Sequence, residues 1–217
     1  MKFQHSPAGI DRPAYTRTVP PETLDPNACL GTSEQAGALL PARIRIRVYR
    51  TGLLSVLGHD LELELERFRV DVHGDAIEAV MDTRSLTVTG GLVHGRVDTT
   101  VPSKHDRTSI EAIVHRDILH TASYPQARFE GTLVGSRELA TRVVGSLTLL
   151  GRARQLELTF ARTGKHWCAS TTLRMTSFGI EPYRTLGGVL KLKDAIEVAI
   201  ELAATDTSDN LHFAGPT

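Results

Sequence analysis

The residues with the plainest chemical potential are His59 and Asp60, at the end of the stretch TGLLSVLGHD. An acid beside a histidine can set its tautomer and charge, as a general base requires. Neighbours on an extended chain point opposite ways, so a direct dyad needs a backbone turn at Gly58. Three roles are open to His59: base, contact to a ligand headgroup, or a loop-capping hydrogen bond. The other histidines offer less. His115 and His120 are five apart on a predicted helix, whereas metal pairs stand three or four apart, so both are expected to face solvent. His94 and His105 share a Gly- and polar-rich region in which the fold could bring them together, a minor alternative for metal binding. Cys29 and Cys168 lack a second Cys or a His at zinc spacing and read as free thiols. There is no G-x-S-x-G elbow and no phosphate loop, because Gly90-Gly91 and Gly187-Gly188 lack the strand-to-helix context and read as turns or bulges. No cofactor and no metal site is expected. Arg174 has two readings, an ion pair with a carboxylate such as Glu157 or a fork for an anionic headgroup.

The composition narrows the partners. The chain has 217 residues, enough for one full core, and 25 acidic residues balance 25 basic ones. Without a basic stripe, and with only 5% aromatics for base stacking, nucleic acid is not an expected partner. No apolar run approaches the roughly 20 residues of a membrane span. The N-terminal stretch MKFQHSPAGIDRPAYTRTVPPE lacks a hydrophobic leader, so a cytoplasmic location is expected.

The elements that would position a site have period two. Residues 1–41 hold six of the ten prolines and no periodicity, and read as a disordered tail; 205–217 read as a second tail. Between them, over 42–204, Ile44, Ile46 and Val48 alternate with Arg43, Arg45 and Arg47, and Leu61, Leu63 and Leu65 alternate with Glu62, Glu64 and Glu66. Placing Arg47 opposite Glu62 aligns Arg45 with Glu64 and Arg43 with Glu66, and puts every aliphatic residue opposite another on the inner face. The charged row is then expected to face solvent. Further strands are expected near 67–73, 76–82, 126–135, 140–150, 153–163, 166–176 and 193–203. One segment, TSIEAIVHRDILHTASYP, has a helical face at Ile110, Ile113, Val114 and Ile118, with Thr108 and Glu111 as a capping box. Strands joined in series leave no open edge if they close into a barrel, and about eight enclose one small ligand. The expected fold is all-β: an extended antiparallel barrel of about eight strands with one α-helix.

Four pieces in order resemble the YceI-like family. They are Ser55-Val56-Leu57-Gly58, then SYPQARFEG (123–131), VVGSLTLLGRARQLELTF (143–160) and RMTSFGIEPY (174–183). The resemblance implies a lipocalin-like barrel that holds a long amphipathic lipid such as a polyisoprenoid in an apolar cavity. It also implies a possible homodimer and, for many members, export. This chain departs from the pattern in lacking the usual leader. It also departs at Arg50, where the family commonly has His, and at Asp60, where it often has Phe.

These readings assemble into a carrier that sequesters an isoprenoid- or fatty-acid-like ligand. The apolar connector residues Leu53, Leu54, Val56 and Leu57 would gate or plug one barrel end, with His59 at its mouth. The candidate ligand contacts within are Phe129, Leu147, Leu149, Leu158, Phe160, Phe178, Ile196 and Val198, with Arg174 for the headgroup. The rival readings are a hydrolase or isomerase using His59, and a packed interaction barrel with no cavity.

Overall fold

In the computed structural model, strand β1 (Ala42–Val48) is followed by the two-residue β2 (Arg50–Thr51) and by β3 (Asp60–Leu65). The structure describes residues 42–51, 60–135, 140–185, 190–203 and 210–215. The expected proline-rich tail and the connector residues Leu53, Leu54, Val56, Leu57 and His59 lie outside them. β1 and β3 pair with Arg47 opposite Glu62, Ile46 opposite Leu63 and Ile44 opposite Leu65, the register that the alternation requires. The ion pairs follow it only in part. Arg47 Nε meets Glu62 at 2.8 Å, but Arg45 turns to Glu201 at 3.0 Å, and Arg43 reaches Glu64 at 3.7 Å rather than Glu66. The charged row is also less wet than expected, since Glu62 is only 2% exposed.

The remaining strands are β4 (Phe68–His73), β5 (Ala76–Asp82), β6 (Leu86–Val93), β7 (Arg96–Asp98), β8 (Gln126–Val134), β9 (Ala140–Leu149), β10 (Arg152–Thr163), β11 (His166–Arg174), β12 (Arg184–Thr185), β13 (Leu190–Leu192), β14 (Ala195–Ala203) and β15 (Asn210–Ala214). Twelve form one antiparallel sheet in the order β15-β4-β5-β8-β9-β10-β11-β14-β1-β3-β6-β7, and β12-β13-β2 form a second. β3 and β4 lie near opposite ends of that order, yet only Glu66 and Arg67 separate them in sequence. β5 and β6 are likewise joined by the short 3₁₀ turn Thr83–Ser85. The sheet must therefore curl until its two ends meet at this bent hairpin. The corner is held by Glu66 N–H to Ser85 O and Asp82 N–H to Arg67 O, with the Ser85 hydroxyl accepting from Arg67 N and donating to Asp82 O.

The strand count is twelve rather than about eight, and the corner explains most of the difference. Two staves bend and are each counted twice, as β3 with β4 and β5 with β6, while β7 and β15 are short additions at the seam. Twelve less these four is eight staves. β15 also corrects the expected C-terminal tail. It pairs with β4, placing Phe213 opposite Val70, and Phe213 is buried.

The helix starts earlier than the sequence pattern indicates. α1 (Lys104–Ile113) is capped by Ser103, whose hydroxyl accepts from Asp106 N–H, and continues as a π-helical turn, Val114–Ile118. Thr108 is inside the helix and bonds back to Lys104 O, so the Thr108–Glu111 capping box does not form. Glu111 instead accepts from Val88 N–H on β6, close to a bulge where β3 slips against β6 between Glu62 and Leu63. His115 is not solvent-facing as expected. It is half-buried, and its Nε2 bonds to Leu86 O at 2.9 Å. These two side chains tie the helix to β6, while Ile110, Val114 and Ile118 pack on the core. No helix among the described residues is long and apolar enough to cross a membrane.

Candidate functional site: an aliphatic wall and its mouth

The inner face alternates along every stave, so the register decides which side chains meet inside. On the β8, β9 and β10 side, Phe129 faces Leu147, and Leu158 faces Val143. All four are buried, as is Phe160. Phe68, Phe178 and Phe213 are buried too, so the bulky rings fill this side of the interior. The Phe129 ring lies across two facing glycines, Gly131 and Gly145; a Cβ at Gly145 would stand 2.5 Å from the ring. Only residues without side chains let the ring lie this close to the sheet.

The opposite side is aliphatic. β1 pairs with β14 so that Ile46 faces Val198 and Ile44 faces Ile200, and β14 pairs with β11 so that Val198 faces Thr171 and Ile196 faces Leu173. Burial fades along these strands toward one end. On β1, Ala42 and Ile44 are buried while Ile46 and Val48 are half-buried; on β3, Leu65 and Leu63 are buried while Leu61 is half-buried. Ile196, Val198, Ile200 and Leu173 keep the same partial exposure. Half-buried apolar side chains on an inward face are candidates to line a ligand site.

The structure thus brings Ile196 and Val198 together on the aliphatic wall. It sets the half-buried Leu149 and the buried Leu147, Leu158, Phe129 and Phe160 on the filled side. Phe178 ends a 3₁₀ turn (Met175–Phe178) after β11 and is buried. Arg174 does not join them. Its side chain is exposed and faces Asp194 at 3.8 Å, and Glu157 pairs with Arg142 instead. Ile46, Val48, Leu61, Leu173 and Ile200 also belong to the wall but were absent from the candidate set. The same alternation that marked their neighbours marks them.

At the open end the chain continues from Val48 through Tyr49 into β2. Asp60 Oδ1 accepts from both the backbone N–H of Arg50 (2.8 Å) and its Nε–H (3.2 Å). The two departures from the family pattern are therefore partners. Tyr49 donates to Glu197 at 2.6 Å; burial first, and that carboxylate second, push its phenol well above the ordinary range. Lys193 stands over the Tyr49 ring, 5.4 Å from its centroid.

A recess of about 460 Å³ lies beside the π-helical turn and is lined by Asp117, His120, Tyr124, Arg152, Phe178 and Glu181 among others. Its floor is tight: Arg152 fills the space a Cβ would take at Gly179, whose φ is +77°. Acids and bases alternate in it, and no trio of His, Cys, Asp or Glu among the described residues is placed to hold a metal.

Two solved structures share the architecture. BcnA of Burkholderia cenocepacia superposes with a TM-score of 0.51 at 16% identity, covering 76% of this chain and 96% of its own. A polyisoprenoid binding domain from Saccharophagus degradans, implicated in plant cell wall breakdown, gives 0.50 at 11% identity, covering 82% of this chain and 100% of its own. No curated protein sequence matches. The family model for the YceI-like domain matches residues 45–204, which include the bent hairpin, the helix and the aliphatic wall. The curled antiparallel sheet and this match together make the chain a member of the YceI-like family.

Proposed function

We propose that the protein binds a hydrophobic or amphipathic ligand, isoprenoid- or fatty-acid-like, along the aliphatic wall, and that it carries rather than transforms it. The observation that carries this reading is the inward row Ile46, Val48, Leu61, Leu173, Ile196 and Val198, which keeps partial exposure inside a barrel whose other side is filled by rings. Burying such a wall against a chain-like ligand yields about 25 cal/mol per Å² of apolar surface removed from water. The similarity to a polyisoprenoid binding domain supports the same ligand class. The rival enzyme reading relied on Asp60 to orient a histidine base, and Arg50 already occupies that carboxylate oxygen. Organic extraction of the purified protein followed by mass spectrometry tests the proposal. A co-purifying long-chain lipid near one per barrel is the expected result. Absence of any such lipid, together with failure to take up an added isoprenoid or fatty acid, would refute it.

A further inference from the structure

We propose that Arg50 anchors an anionic oxygen headgroup, a carboxylate or a phosphate, on the ligand of the aliphatic wall. This rests on the carrier reading above and adds the headgroup class to it. Arg50 lies two residues beyond Val48, roughly 7 Å further along the strand toward the open end. Its cross-strand partner on β13 is Leu192, which packs against the hydrophobic core, so Arg50 shares the inward face of that small sheet.

The guanidinium is incompletely used. Its side chain is only 16% exposed, and Nε is taken by Asp60. Nη1 is buried and has no acceptor among the described residues. Among the described residues the other buried, unpartnered donor is Nε of Arg43, which at least faces a carboxylate at 3.7 Å. A buried cationic N–H without an acceptor is expensive, and the cost disappears when an anionic oxygen arrives. A forked guanidinium with one arm held by Asp60 and another open suits a headgroup of one or two oxygens.

The described charges on the three-strand sheet are Arg50, Arg184 and Lys191, all basic. Arg184 stands directly opposite Lys191, a like-charge pairing that is unfavourable without a counter-charge. Neither has a carboxylate partner among the described residues. Both lie on the face opposite Arg50 and Leu192, and Arg50 itself is paired with Asp60, so the anchor rests on the open guanidinium arm rather than on a surrounding field.

The test compares headgroups on fixed tails with the full-length protein: hexadecanoic acid against hexadecanol, and farnesyl phosphate against farnesol, by displacement of a fluorescent apolar probe. In the unaltered protein at least one anion should bind about tenfold or more tightly than its alcohol, the gain of one charge-assisted hydrogen bond. The tail pair that shows it identifies carboxylate or phosphate as the source. Arg50→Met should bring the ratio to within about twofold, and Arg50→Lys, which keeps charge but loses the fork, should leave an intermediate ratio. Equal binding of anion and alcohol by the unaltered protein overturns the anchor and leaves the carrier reading standing. So does a ratio that Arg50→Met leaves intact. If neither acid nor alcohol displaces the probe, the carrier reading fails and the anchor fails with it.

Discussion

Gly145→Ala perturbs the filled side of the barrel at its tightest contact. Gly145 faces Gly131 across β9 and β8, and the Phe129 ring covers both. A methyl at residue 145 would come 2.5 Å from the ring and closer still to the Glu130 carbonyl oxygen. Ordinary carbon–carbon contact needs about 3.5–4.0 Å, so the ring must rise by about 1 Å or more into the interior. The carbonyl belongs to the neighbouring strand and yields only if the ladder parts. Overpacking alone costs about 1–3 kcal/mol, and the backbone clash puts the expected loss near the top of that range, about 3 kcal/mol. With a urea m-value of about 2 kcal/mol/M, the unfolding midpoint should fall by about 1.5 M. Adding Phe129→Leu removes the ring from the clash, so the double mutant should show a coupling of about 1 kcal/mol or more in its favour. A midpoint shift below about 0.3 M, or strict additivity of the two substitutions, would refute the claim that the glycines exist to seat the ring.

Arg47→Ala should cost about 3–5 kcal/mol in chemical denaturation, because it strands the buried Glu62 carboxylate, and Glu62→Gln in that background should restore most of the loss. The Arg84 guanidinium, with Arg67 behind it, holds the Asp82 carboxyl at about 2, below its ordinary 3.8. A depressed carboxyl stabilises the fold above its unfolded value and loses that contribution as pH falls toward the folded one. Urea midpoints of the native protein should therefore drop between about pH 4 and pH 2 by the equivalent of roughly 1 kcal/mol after solvent screening, and Asp82→Asn should lack that component. Phe213→Ala should cost about 3–5 kcal/mol if the last strand belongs to the core, and no measurable change in thermal unfolding would return it to the status of a tail.

The alternation of Arg43, Arg45 and Arg47 with Ile44, Ile46 and Val48 made the first hairpin legible down to its register, because any one-residue slip opposes charge to aliphatic side chains. The long strands from β8 to β11 and β14 were legible for the same reason. β6 was not, because LTVTGGLV carries a glycine pair at its bulge and turns its pattern over midway. The two-residue strands β2 and β12 are too short to show a period. The helix start was misplaced because Thr108 and Glu111 mimic a capping box. The true cap, Ser103 with Asp106, stands before a stretch with no apolar residue until Ile110. Within the site, alternation found the wall but could not rank its members, since partial exposure depends on where along the barrel a residue falls. Arg50 was legible only as a departure from a family pattern. Its open N–H is a property of three dimensions: it required Asp60, ten residues away, to take Nε and leave Nη1.

The distribution of side-chain shapes connects stability to function. β1, β3, β6, β11 and β14 contain no phenylalanine, and their one tryptophan, Trp167, stands at the end remote from Arg50. β4, β8, β10 and β15 each contribute a buried phenylalanine. Rings supply large buried area per residue and can stabilise one side of a barrel without help from a ligand. Branched aliphatics on a pleated strand make a smooth wall but do not reach across it. A barrel packed evenly all round would need no such division and would have no space to give. Here the corner hairpin brings the two sides face to face, the ring side is buried, and the aliphatic side keeps partial exposure toward the open end. At that mouth stands an arginine with an unused donor. An apolar wall ending in a cationic fork has the order of an amphipath read from tail to head, which is why the headgroup question belongs at Arg50 rather than at the exposed Arg174.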